Sequence, residues 1–219
     1  MGPWSYSSLN AYRTCPRQFH EVRLLRAWPV EETEQSKWGT EVHKAIEERI
    51  LNGTELPENM RQFQPIVDRF RSATGEIFAE RKVALDREKQ PVDFDSESAW
   101  VRAIIDCLIL QKTKALAIDW KTGKRKPIPI QLLITSAILF HIYPELEKVV
   151  TTFVWLSQDV MDIEVVYRKD ANKIWDLVSK DLKEMEWSFE TGKWPERPSG
   201  LCKAWCPVIT CQHNGRRLL

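Results

Sequence analysis

Residues Arg102–Lys124 read RAIIDCLILQKTKALAIDWKTGK. Two apolar runs rich in Ile, Leu and Ala flank the polar turn Gln111 to Lys114. This is the pattern of two short, largely buried strands joined by a tight connection. Each run also carries an acidic residue, Asp106 in the first and Asp119 in the second. A buried, unpaired carboxylate costs several kcal/mol or more, so such a group has a partner, a metal or a raised pKa. Side chains alternate along a strand. Ile104, Asp106 and Leu108 therefore share one face, and Asp119 and Lys121 share a face from which Trp120 points away. Pairing of the two strands brings two carboxylates and an ammonium to one spot. Hard ions such as Mg2+ or Mn2+ suit it, because they take carboxylate, water and phosphate oxygens. Lys121 can then orient or activate an attacking water, or hold a scissile phosphate. An Asp–Lys ion pair capping an ordinary hairpin is the structural alternative.

The succession IID then IDWKTGK resembles the PD-(D/E)XK nuclease superfamily, in the RecB-like branch with the Cas4 proteins and many phage exonucleases. Four other stretches extend the resemblance. The opening SSLNAYRTCPRQF is similar to the start of RecB-like nucleases, where a Ser-rich helix runs into Cys-Pro and an aromatic residue. In SKWGTEVHKAIEERI, a helix with Val42, Ile46 and Ile50 on one side, Gly39 and His43 match the first motif of that branch. A half-buried packing histidine is the plain reading of His43. The resemblance implies a metal ligand instead. IFAERKVAL is strand-like, and Glu80 matches the position of an acidic residue near the metal site in related nucleases. An exposed Glu paired with Arg81 or Lys82 is the alternative there. Gln131-Leu132 match a Gln-Leu pair whose glutamine lies near the active site. The family often has a tyrosine four residues later, where this chain has Thr135.

The chain has 219 residues, which suits one domain with at most a small appendage. Apolar residues make up 43%, enough for a core. Net charge is +1, from 32 basic and 31 acidic residues, so the chain is not a nucleic-acid binder of the strongly basic type, although local patches can still bind. Ten tryptophans supply core and, at some positions, stacking surface. No signal peptide and no membrane-spanning apolar run is expected.

Along the chain, Ser7 can cap a first short helix with Leu9 and Tyr12 on its apolar face, and Pro16 can open a second with Cys15 at its N-cap. Glu31 to Gln35 is an acidic linker. Residues 58–74 form an amphipathic helix with Phe63, Ile66, Val67 and Phe70, ended by Gly75. Residues 86–98 are a loop or hairpin tip. The basic loop Gly123 to Lys126 is a solvated turn, or beside a metal site a contact for DNA phosphates. Pro127 and Pro129 introduce a helix that is apolar nearly all round and therefore buried. Two strands follow, at 149–156 and 161–167. Asp170 then caps a long helix with Ile174, Leu177, Val178, Leu182, Met185 and Phe189 inside, closed by Gly192.

Five cysteines are present, and without a secretion signal a disulfide framework is not expected. Cys107 reads as a small buried hydrophobe. Cys202, Cys206 and Cys211 cluster in a tail with little regular pattern, which is a metal-site signal. Cas4 and AddB-type nucleases hold a [4Fe-4S] cluster with one N-terminal and three C-terminal cysteines. Cys15 with these three reproduces that arrangement, although the spacing lacks the usual Cys-x2-Cys start. Zn2+ held by the three with His213 or Cys15, and free thiols, are the alternatives.

The expected fold is therefore α/β with a restriction-endonuclease-like core, a mixed central sheet flanked by helices and a cysteine-containing tail. Residues 1–197 would form the nuclease domain and 198–219 a segment packing back on the N-terminus. The resemblance implies a metal-dependent deoxyribonuclease, of the exonuclease type, acting on DNA in recombination, repair or end processing. Such a protein works in the cytoplasm of a bacterium or a phage-infected cell, with an end-processing protein as a possible partner. His43, Asp106, Asp119 and the Trp120 carbonyl would hold Mg2+ or Mn2+. Lys121, Gln131 and Glu80 would complete the catalytic set. A non-catalytic DNA- or partner-binding module on the same fold, and a Cas4-like factor in a larger complex, are the other readings.

Overall fold

The structure is a computed structural model describing residues 1–30, 32–126 and 129–216. Glu31 of the acidic linker, Pro127, and residues 217–219 of the tail lie outside the described residues. The chain divides into two compact units, Thr33–Trp175 and Met1–Glu32 with Asp176–Leu219. No helix among the described residues is long and apolar enough to cross a membrane.

The helices before the sheet are α1 (Tyr6–Thr14), α2 (Pro16–Phe19), α3 (Glu34–Asn52) and α4 (Gln64–Arg71). The strands are β1 (Glu76–Leu85), β2 (Pro91–Val92), β3 (Val101–Gln111), β4 (Lys114–Lys121), β5 (Lys148–Trp155) and β6 (Val160–Tyr167). Helix α5 (Pro129–Ile142) joins β4 to β5, and α6 (Ala171–Thr191) follows β6. The sheet runs β2-β1-β3-β4-β5-β6. Only β4 and β5 pair in parallel, so the sheet is mixed, and α5 makes the crossover that a parallel pair requires. The expected β3–β4 hairpin is present, with Gln111 opposite Lys114.

Apolar alternation decides which face each strand turns inward. Cys107, Ile109, Ile118 and Trp120 pack with Val42, Ile46 and Ile50 of α3 and Val67 and Phe70 of α4. On α5, Leu132 packs with Phe153 and Trp155. Ser136 of the same helix is buried and donates to the Leu132 carbonyl at 3.0 Å, so a polar residue sits in an apolar helix without an orphaned hydroxyl.

Four local expectations change. Ser5, not Ser7, caps α1, in a reciprocal pair with Ser8. Residues 58–74 are not one helix: a 3-10 turn (Glu58–Phe63) precedes α4, where Pro65 occupies a first-turn position that needs no N–H. Gly75 does not end that helix, which stops at Arg71; with φ +138° it precedes β1 and lies so close to β3 that a Cβ would meet the Leu110 carbonyl oxygen at 2.4 Å. Leu177 is 56% exposed, because Ile174, Val178, Leu182 and Met185 already define the buried stripe of α6 and Leu177 lies one residue off it.

In the other unit, the Tyr12 hydroxyl donates to the Glu184 carbonyl at 2.7 Å and lies 2.8 Å from Ser188 Oγ. Phe19, Phe189 and Trp194 close around that tyrosine, and the His20 ring stacks on Trp194 at 4.5 Å. Cys15 is the N-cap of α2 with Pro16 as its first residue, as the sequence suggests. In the tail, Asn214 donates to the carbonyls of Cys206 and Val208 at 2.9 and 3.0 Å. Cys15, Cys202, Cys206 and Cys211 line one pocket together with Arg17, Glu196 and His213. All four are free thiols, and burial chiefly pushes Cys206 above its usual pKa.

Candidate active site

Five elements of the sheet unit, α3, β1, β3, β4 and α5, deliver the candidate residues to one end of β3 and β4. Pairing between these strands runs as far as Cys107–Ile118. The next residues on each strand are Asp106 and Asp119. At this point Asp106 leaves the ladder pattern: its Oδ2 accepts the Trp120 backbone N–H at 2.8 Å. Helix α3 passes close by, because a Cβ on Gly39 would lie only 3.4 Å from Thr122 Oγ1. One turn after that glycine, His43 reaches the same point. Its Nδ1 lies 3.3 Å from Asp106 Oδ2 and its Nε2 lies 2.9 Å from the Trp120 carbonyl oxygen.

Glu80 comes from β1. Its neighbours pair regularly with β3, Ala79 with Cys107 and Arg81 with Ile105, yet Glu80 itself has φ +47°. The left-handed region costs a non-glycine residue about 1–3 kcal/mol and persists where surrounding structure holds it. Among the described residues, one group of three or more His, Cys, Asp or Glu brings its donor atoms within 4.8 Å of one another: His43, Glu80 and Asp106. The strained residue is therefore a member of the donor set. Nothing in the sequence signals that backbone conformation.

Asp119 forms the second half of the site. Lys121 Nζ lies 2.7 Å from Asp119 Oδ1, and Gln131 Nε2 donates to Asp119 Oδ2 at 2.6 Å. The Lys121 ammonium also sits 4.8 Å above the Phe153 ring. Phe153 escaped the sequence reading because it looks like any buried strand aromatic. The Trp120 side chain is buried in the core while its carbonyl faces His43. The basic loop is partly committed. Arg125 Nε lies 3.0 Å from both carboxylate oxygens of Asp162, which also accepts Trp155 Nε1–H at 2.8 Å.

The cluster carries more negative than positive charge. Burial, then repulsion from Asp106, pushes Asp119 up to about 6, against the pull of Lys121 and His43. Burial, Asp106 and Glu47 raise Glu80. Burial pulls His43 down, but its hydrogen bond to Asp106 and the charges of Asp106 and Asp119 outweigh this and raise it. Carboxylates held above their usual range beside one imidazole make an oxygen-rich donor set that a hard divalent cation fits.

These shifts share one sign. Each of the three groups binds its proton more tightly folded than unfolded, so stability falls as pH rises through their folded values. For Asp119 the window runs from its unfolded value near 4 to about 6. The carboxylates lowered by ion pairs, such as Asp68 and Asp162, act in the opposite sense but below that window. In EDTA the melting temperature should therefore decline from pH 5 towards pH 8, by the equivalent of about 1–2 kcal/mol. Asp119→Asn should flatten the slope. Melting curves at fixed ionic strength check this, and a midpoint that climbs with pH would contradict it.

No curated protein matches the chain. Among solved structures, SSO0001 superposes with a TM-score of 0.53 at 13% identity, covering 98% of this chain and 88% of that one. A candidate exonuclease from Eubacterium rectale superposes with a TM-score of 0.57 at 12% identity, covering 93% and 87%. At such identities the likeness is one of fold. The family described as the PD-(D/E)XK nuclease superfamily matches residues 3–211, nearly the whole chain and all of the cluster above. With that match and this sheet, the chain belongs to the PD-(D/E)XK nuclease superfamily.

Proposed function

We propose that this protein is a divalent-metal-dependent DNA nuclease, an exonuclease of recombination, repair or DNA-end processing. The observation that carries the reading is the convergence of His43, Glu80 and Asp106 beside the Asp119–Lys121 pair. In this reading His43, Asp106, Asp119 and the Trp120 carbonyl hold Mg2+ or Mn2+, with Glu80 as a further ligand. The ion supplies Lewis acidity towards a phosphodiester. The protein supplies position. Lys121, fixed between Asp119 and the face of Phe153, directs its ammonium at the attacking water or the scissile phosphate. Gln131 holds the other Asp119 oxygen, which keeps the carboxylate turned towards the lysine. The description of the Eubacterium rectale neighbour supports exonuclease action. Gly39, His43 and Gln131 support the RecB-like branch, and hence a bacterial or phage-infected cytoplasm.

The same reading gives Cys15, Cys202, Cys206 and Cys211 a [4Fe-4S] cluster. A single Zn2+, with Zn–S bonds of about 2.3 Å, needs thiolates within about 4.6 Å of each other. The four thiols share one pocket, and a four-iron cluster, in which each thiolate binds a different iron, spreads its ligands more widely than one zinc ion does. The tail 198–219 then closes on the N-terminal Cys15.

The test is digestion of end-labelled linear DNA and closed-circular DNA by anaerobically purified protein, with Mg2+, Mn2+ or EDTA. Metal-dependent loss of linear DNA alone is the expected result. Cutting of the circle would make the enzyme an endonuclease. No cleavage by folded, metal-loaded protein would leave a binding module on a nuclease fold. The visible spectrum of the same sample reports the cluster.

A further inference from the structure

Beyond the acids, β1 and β3 continue side by side, joined by the short β2 at Ala84 and Leu85, with Lys82 opposite Ile104 and Ala84 opposite Arg102. Alternation along β3 puts Arg102, Ile104 and Asp106 on one face. That face is open: Ile104 is 49% exposed and Lys82 is exposed. Lys82 Nζ and Arg102 Cζ lie 5.5 and 5.3 Å from the centre of one ring, Phe94, in the loop after β2. Two cations thus share one aromatic ring. Among the described residues neither has a carboxylate at ion-pair distance. Arg102 Nη2 donates to the Ser96 carbonyl at 3.2 Å, while its Nε is buried with no acceptor. A groove of about 630 Å3 adjoins this face on the β1 side, lined by Arg81, Lys82, Phe94 and Ser96, with Asp93 its one carboxylate. Unpaired donors and crowded cations are costly unless an anion answers them.

We propose that this face is a track for the nucleic-acid strand being cut, with Lys82 and Arg102 each holding a phosphate to one side of the scissile bond. The proposal rests on the nuclease reading for where the scissile phosphate lies. Two residues of a strand span about 7 Å, so Lys82 stands at most about 7 Å along β1 from Glu80. Arg102 stands about 13 Å along β3 from Asp106. These steps match successive phosphodiesters of an extended single strand. Ile104, 49% exposed, gives sugars and bases an apolar surface, which favours any sequence equally. The substrate class is therefore a single strand, or the frayed end of a duplex, recognised through its backbone.

The experiment is binding of a labelled oligothymidylate in EDTA, so that no cleavage occurs, across a salt series. Lys82→Met and Arg102→Gln should each weaken binding about tenfold at low salt and make the log–log salt dependence shallower by about 0.7. Lys173→Met removes an exposed cation of α6 and should leave that slope alone. Equal effects in all three variants would reduce the track to a general charge effect and overturn it, as would an unchanged slope in Lys82→Met. Arg102→Lys should recover most of the lost affinity, and melting curves separate binding loss from unfolding. Cleavage assays of the unaltered protein test the nuclease reading independently. A track without cleavage would keep the binding site and discard the enzyme.

Discussion

Lys121→Met should lower the single-turnover rate of DNA cleavage by about 10³-fold, with little change in DNA affinity, while the melting temperature drops at neutral pH because Asp119 loses its cation. The lysine is half-buried and its ammonium is fixed from two sides, by Asp119 at 2.7 Å and by the Phe153 ring at 4.8 Å. A cation so constrained needs no reorganisation when charge develops on a phosphate, and that preorganisation is what the substitution removes. Asp119→Asn should cost a similar factor for a different reason. It keeps the shape and the contact with Gln131 but removes the charge that orients Lys121. It also relieves the repulsion from Asp106, so the metal-free protein should become more stable at neutral pH while losing activity. Loss of function with a gain in stability is the signature of a functional site rather than a structural ion pair. Quenched-flow digestion of end-labelled DNA, with melting curves on the same samples, decides the matter. Cleavage within tenfold of the unaltered rate in either variant would remove both residues from the mechanism.

Asp106→Asn should abolish the stabilisation that Mn2+ confers. Asp106 joins every part of the site: it meets His43 at 3.3 Å, accepts the Trp120 N–H at 2.8 Å and belongs to the group with His43 and Glu80. An ion bound only by the folded state, at about a hundred times its Kd, stabilises by ~2.7 kcal/mol. That is roughly 5–10 °C in melting temperature for a chain of this size. The asparagine still accepts the Trp120 N–H but loses the charge, and metal affinity should drop by about 100-fold or more. Titration calorimetry with Mn2+ and melting with and without metal measure the two effects. A variant that binds Mn2+ as tightly as the unaltered protein would place the ion elsewhere.

The residues 102–124 by themselves determined the β3–β4 hairpin, the facing of Asp106, Asp119 and Lys121, and the burial of the Trp120 side chain. These follow from alternation and from the cost of burying charge, both of which act within a few residues. The helix that is apolar nearly all round was legible for the same local reasons, whereas Gly39, His43 and Gln131 were marked only by their resemblance to the nuclease motifs. Other features required the folded chain. Glu80 shows an ordinary strand sequence, and only its place opposite Asp106 explains the left-handed backbone that turns it towards the other donors. Arg125 reads as a free cation until β6 brings Asp162 to it. Phe153 acquires a role only because parallel pairing sets β5 beside β4. Lys82, Phe94 and Arg102 are scattered along the chain, and register alone assembles them. Local patterns state which residues are buried. Which buried or charged groups meet depends on contacts between segments distant in sequence, and no local pattern encodes those distances.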